Sequence, residues 1–261
     1  MRRAAAALLL VLVATGAHAK RRSAAAPGGT QFAVFPLQAV ELTSGTSDLL
    51  PLRYTISTAG IVALGDSTTA GTPLFKSPVE VPPDGEGDET SQFAYWLMQA
   101  HPEWDVRNRG VNGERSDQIR ARWTRDVASA GAAAVVIIAG VNDVYQGRTV
   151  EHVTRELRAM YDLAAAARMP VVAGTIVPYN TATPEQNAKM RAINDWIRAE
   201  AARDANITFV DTRAAAARDD NPDLLRSSPD ELHPDAEGYR RMAEALAPAI
   251  AAALRRTSPN T

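Results

Sequence analysis

Between residues 58 and 255 short apolar runs alternate with longer stretches in which apolar residues recur every three or four positions. The runs are GIVALG (60–65), WDVRNRG (104–110), AAVVIIAG (133–140), VVAGTIV (171–177) and ITFVD (207–211), and they read as buried parallel strands. Between them, Val150, Val153, Leu157, Met160, Tyr161 and Ala164 fall on one helical face, and Met190, Ile193, Trp196 and Ile197 on another. A last helix is expected from Pro234, which suits a first helical turn, to about Leu254. Strand and helix alternating through short connections predict an α/β fold, a parallel sheet covered on both faces. The methionines and tryptophans on these faces are read as core.

In such a sheet ligands bind outside the carboxyl ends of the strands, so the residues just past each run matter most. The first run ends in Gly65-Asp66-Ser67. The second leads into Asn108-Arg109-Gly110-Val111-Asn112-Gly113, the third into Gly140-Val141-Asn142-Asp143, the fourth into Pro178-Tyr179-Asn180-Thr181. Polar residues and glycines thus collect at one edge. Helix caps and turns account for part of this.

Composition narrows the picture. The 261 residues are 46% hydrophobic and 22% charged, with a formal net charge of −2 and no cysteine. No basic stripe exists to suit nucleic acid, and thiol chemistry, disulfides and cysteine metal sites are excluded. The start reads as a secretory signal peptide over residues 1–19: Met1-Arg2-Arg3, the apolar AAAALLLVLVATG, then Ala17-His18-Ala19. The apolar stretch falls short of the ~20 residues that span a bilayer, so cleavage near Ala19 is expected rather than an anchor. The mature chain would then be exported, to the periplasm or beyond, with no transmembrane segment. Residues 20–57 are read as a linker followed by an N-terminal extension with one or two strands, 58–255 as the main domain, and 256–261 as a tail.

Ser67, at the tip of a strand, is placed as a nucleophile would be, but a serine hydroxyl needs a neighbouring base. Of four histidines, His18 leaves with the signal peptide. His101 belongs to a turn on the opposite edge of the sheet, and His152 to a first helical turn, where it is read as solvated. His233 remains, with Asp230 three positions before it in the same local turn. Asp230 would fix the imidazole tautomer while the other ring nitrogen faces Ser67, the division of labour of a Ser-His-Asp triad. A bland reading stands beside this one: Asp230 as a helix cap and His233 as a surface residue. Oxyanion donors are available in the Ser67 N–H, the Gly113 N–H and the Asn142 side-chain amide, though turn and cap duties would also explain the last two.

Four blocks in this order, Gly65-Asp66-Ser67, Asn108 to Gly113, Gly140 to Asp143 and Asp230 to Pro234, resemble those of the SGNH (GDSL-type) hydrolases. The resemblance covers roughly residues 58–255. It implies a flavodoxin-like three-layer α/β/α sandwich with strand order 2-1-3-4-5. It also implies Ser67 as nucleophile, His233 as base, Asp230 as its orienter, and Ser67, Gly113 and Asn142 as the oxyanion hole. The chain departs from commoner family patterns in GDST for GDSL and in the charged run Gly113-Glu114-Arg115-Ser116, both of which bear on pocket shape.

The resulting expectation is a secreted esterase needing no cofactor and no metal. Its pocket would be walled by the Pro/Gly-rich stretch after Ser67 and, opposite, by the loops carrying Tyr145, Gln146 and Arg148, and Tyr179 and Asn180. That rim suits a short acyl ester of a carbohydrate, with a lysophospholipid as second choice. An acyltransferase using the same serine and a non-catalytic carbohydrate-binding module are the alternatives.

Overall fold

The structure, a computed structural model, describes residues 59–257. The segments read above as signal peptide, linker and N-terminal extension lie outside the described residues, as do residues 258–261. In chain order the elements are β1 (Ala59–Gly65), α1 (Ser67–Ala70), β2 (Phe75–Lys76), β3 (Glu86–Gly87), α2 (Phe93–Ala100) and β4 (Trp104–Gly110). Then come α3 (Ser116–Ala121), α4 (Trp123–Asp126), β5 (Ala134–Ile138), α5 (Val141–Tyr145), α6 (Val150–Ala166) and β6 (Val171–Gly174). The chain closes with α7 (Pro184–Arg203), β7 (Ile207–Val210), α8 (Thr212–Ala216) and α9 (Ala236–Thr257).

Five strands form one parallel sheet in the order β4-β1-β5-β6-β7, which is 2-1-3-4-5 when these five are counted alone. The two-residue strands β2 and β3 pair antiparallel outside it. The expected α/β sandwich is therefore present, with this small hairpin as an addition.

Why the inner strands read as continuous apolar runs is visible in their packing. Along β1, Val62 and Leu64 pack toward Trp123 and the buried faces of α3, α6 and α7, together with Val135, Ile137 and Val171. Ile61 and Ala63 point the other way, toward Phe93 and Leu97 of α2 and Tyr239, Met242 and Leu246 of α9. Covered on both faces, these strands have no position for a polar side chain. The edge strand β4 differs: Trp104, Val106, Asn108 and Gly110 are buried and the residues between them less so.

Three boundaries differ from expectation. β6 ends at Gly174 rather than near 177: the Thr175 N–H makes the last ladder bond, to Val210 O at 3.1 Å, and beyond it the Ile176 N–H and C=O are taken by the Asn194 side-chain amide, at 2.8 and 3.0 Å. β5 stops at Ile138, and α9 begins two residues after Pro234. The stretch after Ser67 is ordered and packed: Phe75 and Ser77 are buried, and the Ser77 hydroxyl donates to Gly110 O at 2.6 Å.

Candidate active site

At the end of β1 the chain turns sharply into α1. Asp66 caps that helix, its carboxylate accepting the Thr68 N–H at 3.0 Å, so Ser67 is the first helical residue. The turn is tight. A side chain at Gly110, on the neighbouring strand end, would collide with the backbone of Ala70 at 2.0 Å, so only glycine lets α1 seat there.

Ser67 is 4% exposed and His233 8%. The Ser67 Oγ lies 2.8 Å from His233 Nε2, and His233 Nδ1 lies 2.7 Å from Asp230 Oδ2. The other Asp230 oxygen accepts the backbone N–H groups of Leu232 (3.0 Å) and His233 (2.9 Å). Burial would raise the Asp230 pKa, but the bonds from the His233 ring and these two N–H groups outweigh it and hold the carboxyl below its usual range. An ionised Asp230 keeps the proton on Nδ1 and leaves Nε2 bare toward the serine hydroxyl.

Of the anticipated oxyanion donors, the N–H groups of Ser67 and Gly113 have no acceptor among the described residues. Gly113 adopts a left-handed φ of 77°, which a side chain would strain even though space is open there. The Asn142 amide donates one N–H to Glu114 O at 2.9 Å, which orients the group and leaves its second N–H free. The loop after Ser67 reaches this side: Glu80 accepts the Asn112 N–H at 2.9 Å through one oxygen and the Ser77 N–H at 3.0 Å through the other.

Buried side chains with no part in the anticipated chemistry hold these loops. Asp143 is fully buried and accepts both the N–H (2.7 Å) and the hydroxyl (2.9 Å) of Ser116. Burial raises its pKa against those bonds. Asn108 donates to Ala70 O and Gln92 Oε1 and accepts from the Gly110 N–H. Asp66 is pushed up to about 7, first by burial and also by the charge of Asp143, with the Thr68 N–H working against the rise.

The remaining sequence-based candidates divide. Tyr145 is 62% exposed, one helical turn beyond Asn142. Tyr179 is a correction: it is 2% exposed, packed in the core with the Tyr145 ring set edge-on to it at 6.1 Å, so it offers no substrate surface. Burial pushes its hydroxyl up to about 12. Asn180 is half-buried: its side-chain oxygen accepts the Leu225 N–H (2.8 Å) and its own N–H donates to Glu231 O (2.8 Å), while its side-chain NH2 has no acceptor among the described residues. It fastens the segment carrying Asp230 and His233. His152 is not solvated as expected: its ring turns inward, Nε2 3.8 Å from Asp143 and Nδ1 2.9 Å from the Arg155 guanidinium. His101 stacks on Trp104 at the amino end of β4, the edge opposite Ser67.

Known proteins resemble this arrangement over most of the chain. An acetylxylan esterase from Geobacillus stearothermophilus is 29% identical over 188 residues, covering 63% of this chain and 84% of that protein. A GDSL-like lipase from Bacteroides thetaiotaomicron has a similar fold at 22% identity, with TM-score 0.61 over 77% of this chain and 92% of its own. So does a lipolytic protein of the G-D-S-L family from Desulfitobacterium hafniense, at 23% identity and TM-score 0.59, over 73% of this chain and 98% of its own. Residues 63–241 match the GDSL-like lipase/acylhydrolase family, a span that takes in Ser67, Gly113, Asn142, Asp230 and His233. The chain belongs to the GDSL-like lipase/acylhydrolase family and is a carboxylic ester hydrolase.

Proposed function

We propose that the protein is exported and hydrolyses short acyl esters of a carbohydrate through an acyl-enzyme on Ser67. The observation that carries the catalytic part is the unbroken run of contacts from Ser67 Oγ through the His233 ring to Asp230, at 2.8 and 2.7 Å. His233 Nε2 takes the Ser67 proton as the hydroxyl oxygen attacks the ester carbonyl. The N–H groups of Ser67 and Gly113 and the free N–H of Asn142 stabilise the oxyanion. His233 then gives its proton to the leaving alcohol. In the second half, water loses a proton to His233 and attacks the acyl-serine, and collapse returns the proton to Ser67 and releases the acid.

The substrate part has separate support. The name of the relative at 29% identity describes an esterase of acetylated xylan. Here the rim near Asn142 carries the exposed residues Tyr145, Gln146 and Arg148, a polar and aromatic set suited to sugar hydroxyls. Export rests on the sequence of residues 1–19.

The test is hydrolysis of p-nitrophenyl acetate, longer p-nitrophenyl esters and an acetylated xylooligosaccharide by the mature protein, beside Ser67→Ala and with a fluorophosphonate label. Turnover should fall at least about a thousandfold in Ser67→Ala, with labelling abolished and short chains preferred. Turnover that persists in Ser67→Ala would remove Ser67 as nucleophile. A preference for long chains would overturn the substrate assignment.

A further inference from the structure

Arg122 stands where α3 passes into α4, within the ordinary-looking run IRARWTRD, and is 7% exposed. Its guanidinium is spent on the framework of the site. Nη2 donates to Gly65 O at 2.6 Å, and Nη1 to Arg109 O at 2.6 Å and Asp126 Oδ2 at 2.7 Å. Nε donates to Glu114 Oε2 at 2.6 Å. Gly65 ends β1 two residues before Ser67, and Arg109, opposite Leu64, is the penultimate residue of the adjoining strand β4. Glu114 comes directly after Gly113, and its carbonyl is the anchor of the Asn142 amide.

One buried cation therefore bonds the chain just before the serine, the strand leading to Gly113, and the residue that orients Asn142. We infer that Arg122 is a positioning residue, which sets the spacing of Ser67 against both oxyanion donors without touching substrate. The inference rests on the proposed roles of those three residues.

The bonding pattern is what separates this role from plain stabilisation. An ion pair needs only Asp126, which Arg125 also engages from outside. The bonds to two strand-end carbonyls and to Glu114 require a rigid planar fork. A lysine, with its donors at a single point, keeps the charge but cannot span Gly65, Arg109 and Glu114 together. Displacing a catalytic group by about 1 Å typically costs on the order of a hundredfold in rate. Arg122 makes no bond to Asp230 or His233, so the protonation behaviour of the base is outside its reach.

The experiment measures kcat and KM for a p-nitrophenyl ester per fluorophosphonate-labelled Ser67, with pH profile and Tm, in Arg122→Lys, Arg122→Met and the control Arg125→Ala. In both Arg122 variants kcat should fall about 10- to 100-fold while KM stays within about threefold and the pH profile keeps its midpoint. Arg125→Ala removes the exposed outer arm of the same ion cluster and should leave kcat unchanged. Turnover per labelled serine within twofold of wild type in Arg122→Lys, whatever happens to Tm, would overturn the inference. That variant carries the test if Arg122→Met does not fold. A wild-type protein without Ser67-dependent turnover would instead overturn the underlying mechanism, and the inference with it.

Discussion

The two sides of the site are built in different ways. Ser67, Gly113 and Asn142 stand on a frame of buried side chains, Asn108, Arg122 and Asp143 among them, each tied to residues 13 to 57 positions away. Asp230 and His233 stand on a segment that between α8 and α9 has neither helix nor strand, only one isolated bridge between Ala217 and Leu225. That segment is fastened by the two bonds of Asn180 and by Asp223, which Arg191 of α7 and Arg213 of α8 both engage, while the turn carrying the two residues is organised from within, by the Asp230 carboxylate gripping residues two and three positions ahead. The contrast fits the chemistry proposed for each side. Oxyanion donors must not move as charge develops, so they belong on the frame. A base that passes protons back and forth needs its ring orientation fixed, and a local turn does that.

The largest test of the frame is electrostatic. Asp66 is 1% exposed, and its folded-state pKa of about 7 lies above the ordinary 3.8, so the folded protein holds a proton that the unfolded chain has given up. Stability from this group is fully present below pH ~4 and is lost as pH rises through 7, on the order of 4 kcal/mol in all. Asp66→Asn keeps an acceptor for the Thr68 N–H and cannot ionise. Urea unfolding from pH 4 to pH 8.5 should therefore show the variant gaining on wild type by that amount as pH increases. A constant difference across the range would mean Asp66 is ionised in the folded state and the frame tolerates the charge.

Asn142→Ala probes the frame's contribution to turnover. Losing one oxyanion donor typically costs about 3 kcal/mol of transition-state stabilisation, so kcat should drop by roughly a hundredfold or more. Only one bond to Glu114 O is lost from the folded state, about 1 kcal/mol, so thermal unfolding should move little. Near-normal turnover would take Asn142 out of the site.

This division also explains what could be read from the sequence. The inner strands are legible because burial on two faces leaves an uninterrupted apolar run, and the edge strand β4 because its buried positions alternate. The Asp230–His233 contact is legible because it is local: three positions apart, a carboxylate and an imidazole meet whatever the rest of the chain does. Arg122 is not legible, since two of its four acceptors are carbonyls, which carry no residue signature, one of them 57 positions away. Tyr179 looks like a rim residue after a strand, but β6 ends three residues earlier than the apolar run, and the Tyr179 ring is buried in the core. The inward turn of His152 escapes the helix pattern for a similar reason, because its neighbour Asp143 belongs to another element, α5.

The smallest expected effect tests the loop side. Glu231, between Asp230 and His233 and exposed to solvent, has a left-handed φ of 65°, and its carbonyl receives the Asn180 N–H. A non-glycine residue in that conformation costs roughly 1–2 kcal/mol. Glycine at this position would remove the cost from the folded state but give the unfolded chain about 0.5–1 kcal/mol of extra freedom. The two nearly cancel, so Glu231→Gly should unfold within about 1 kcal/mol of wild type. Turnover is a separate matter, because a glycine there loosens the one segment that aims the His233 ring. A severalfold fall in kcat with unchanged stability would mark the loop as a self-organised unit whose strain serves orientation. A loss of several kcal/mol on unfolding would show instead that the loop is coupled to the frame, and the distinction between the two sides would fail.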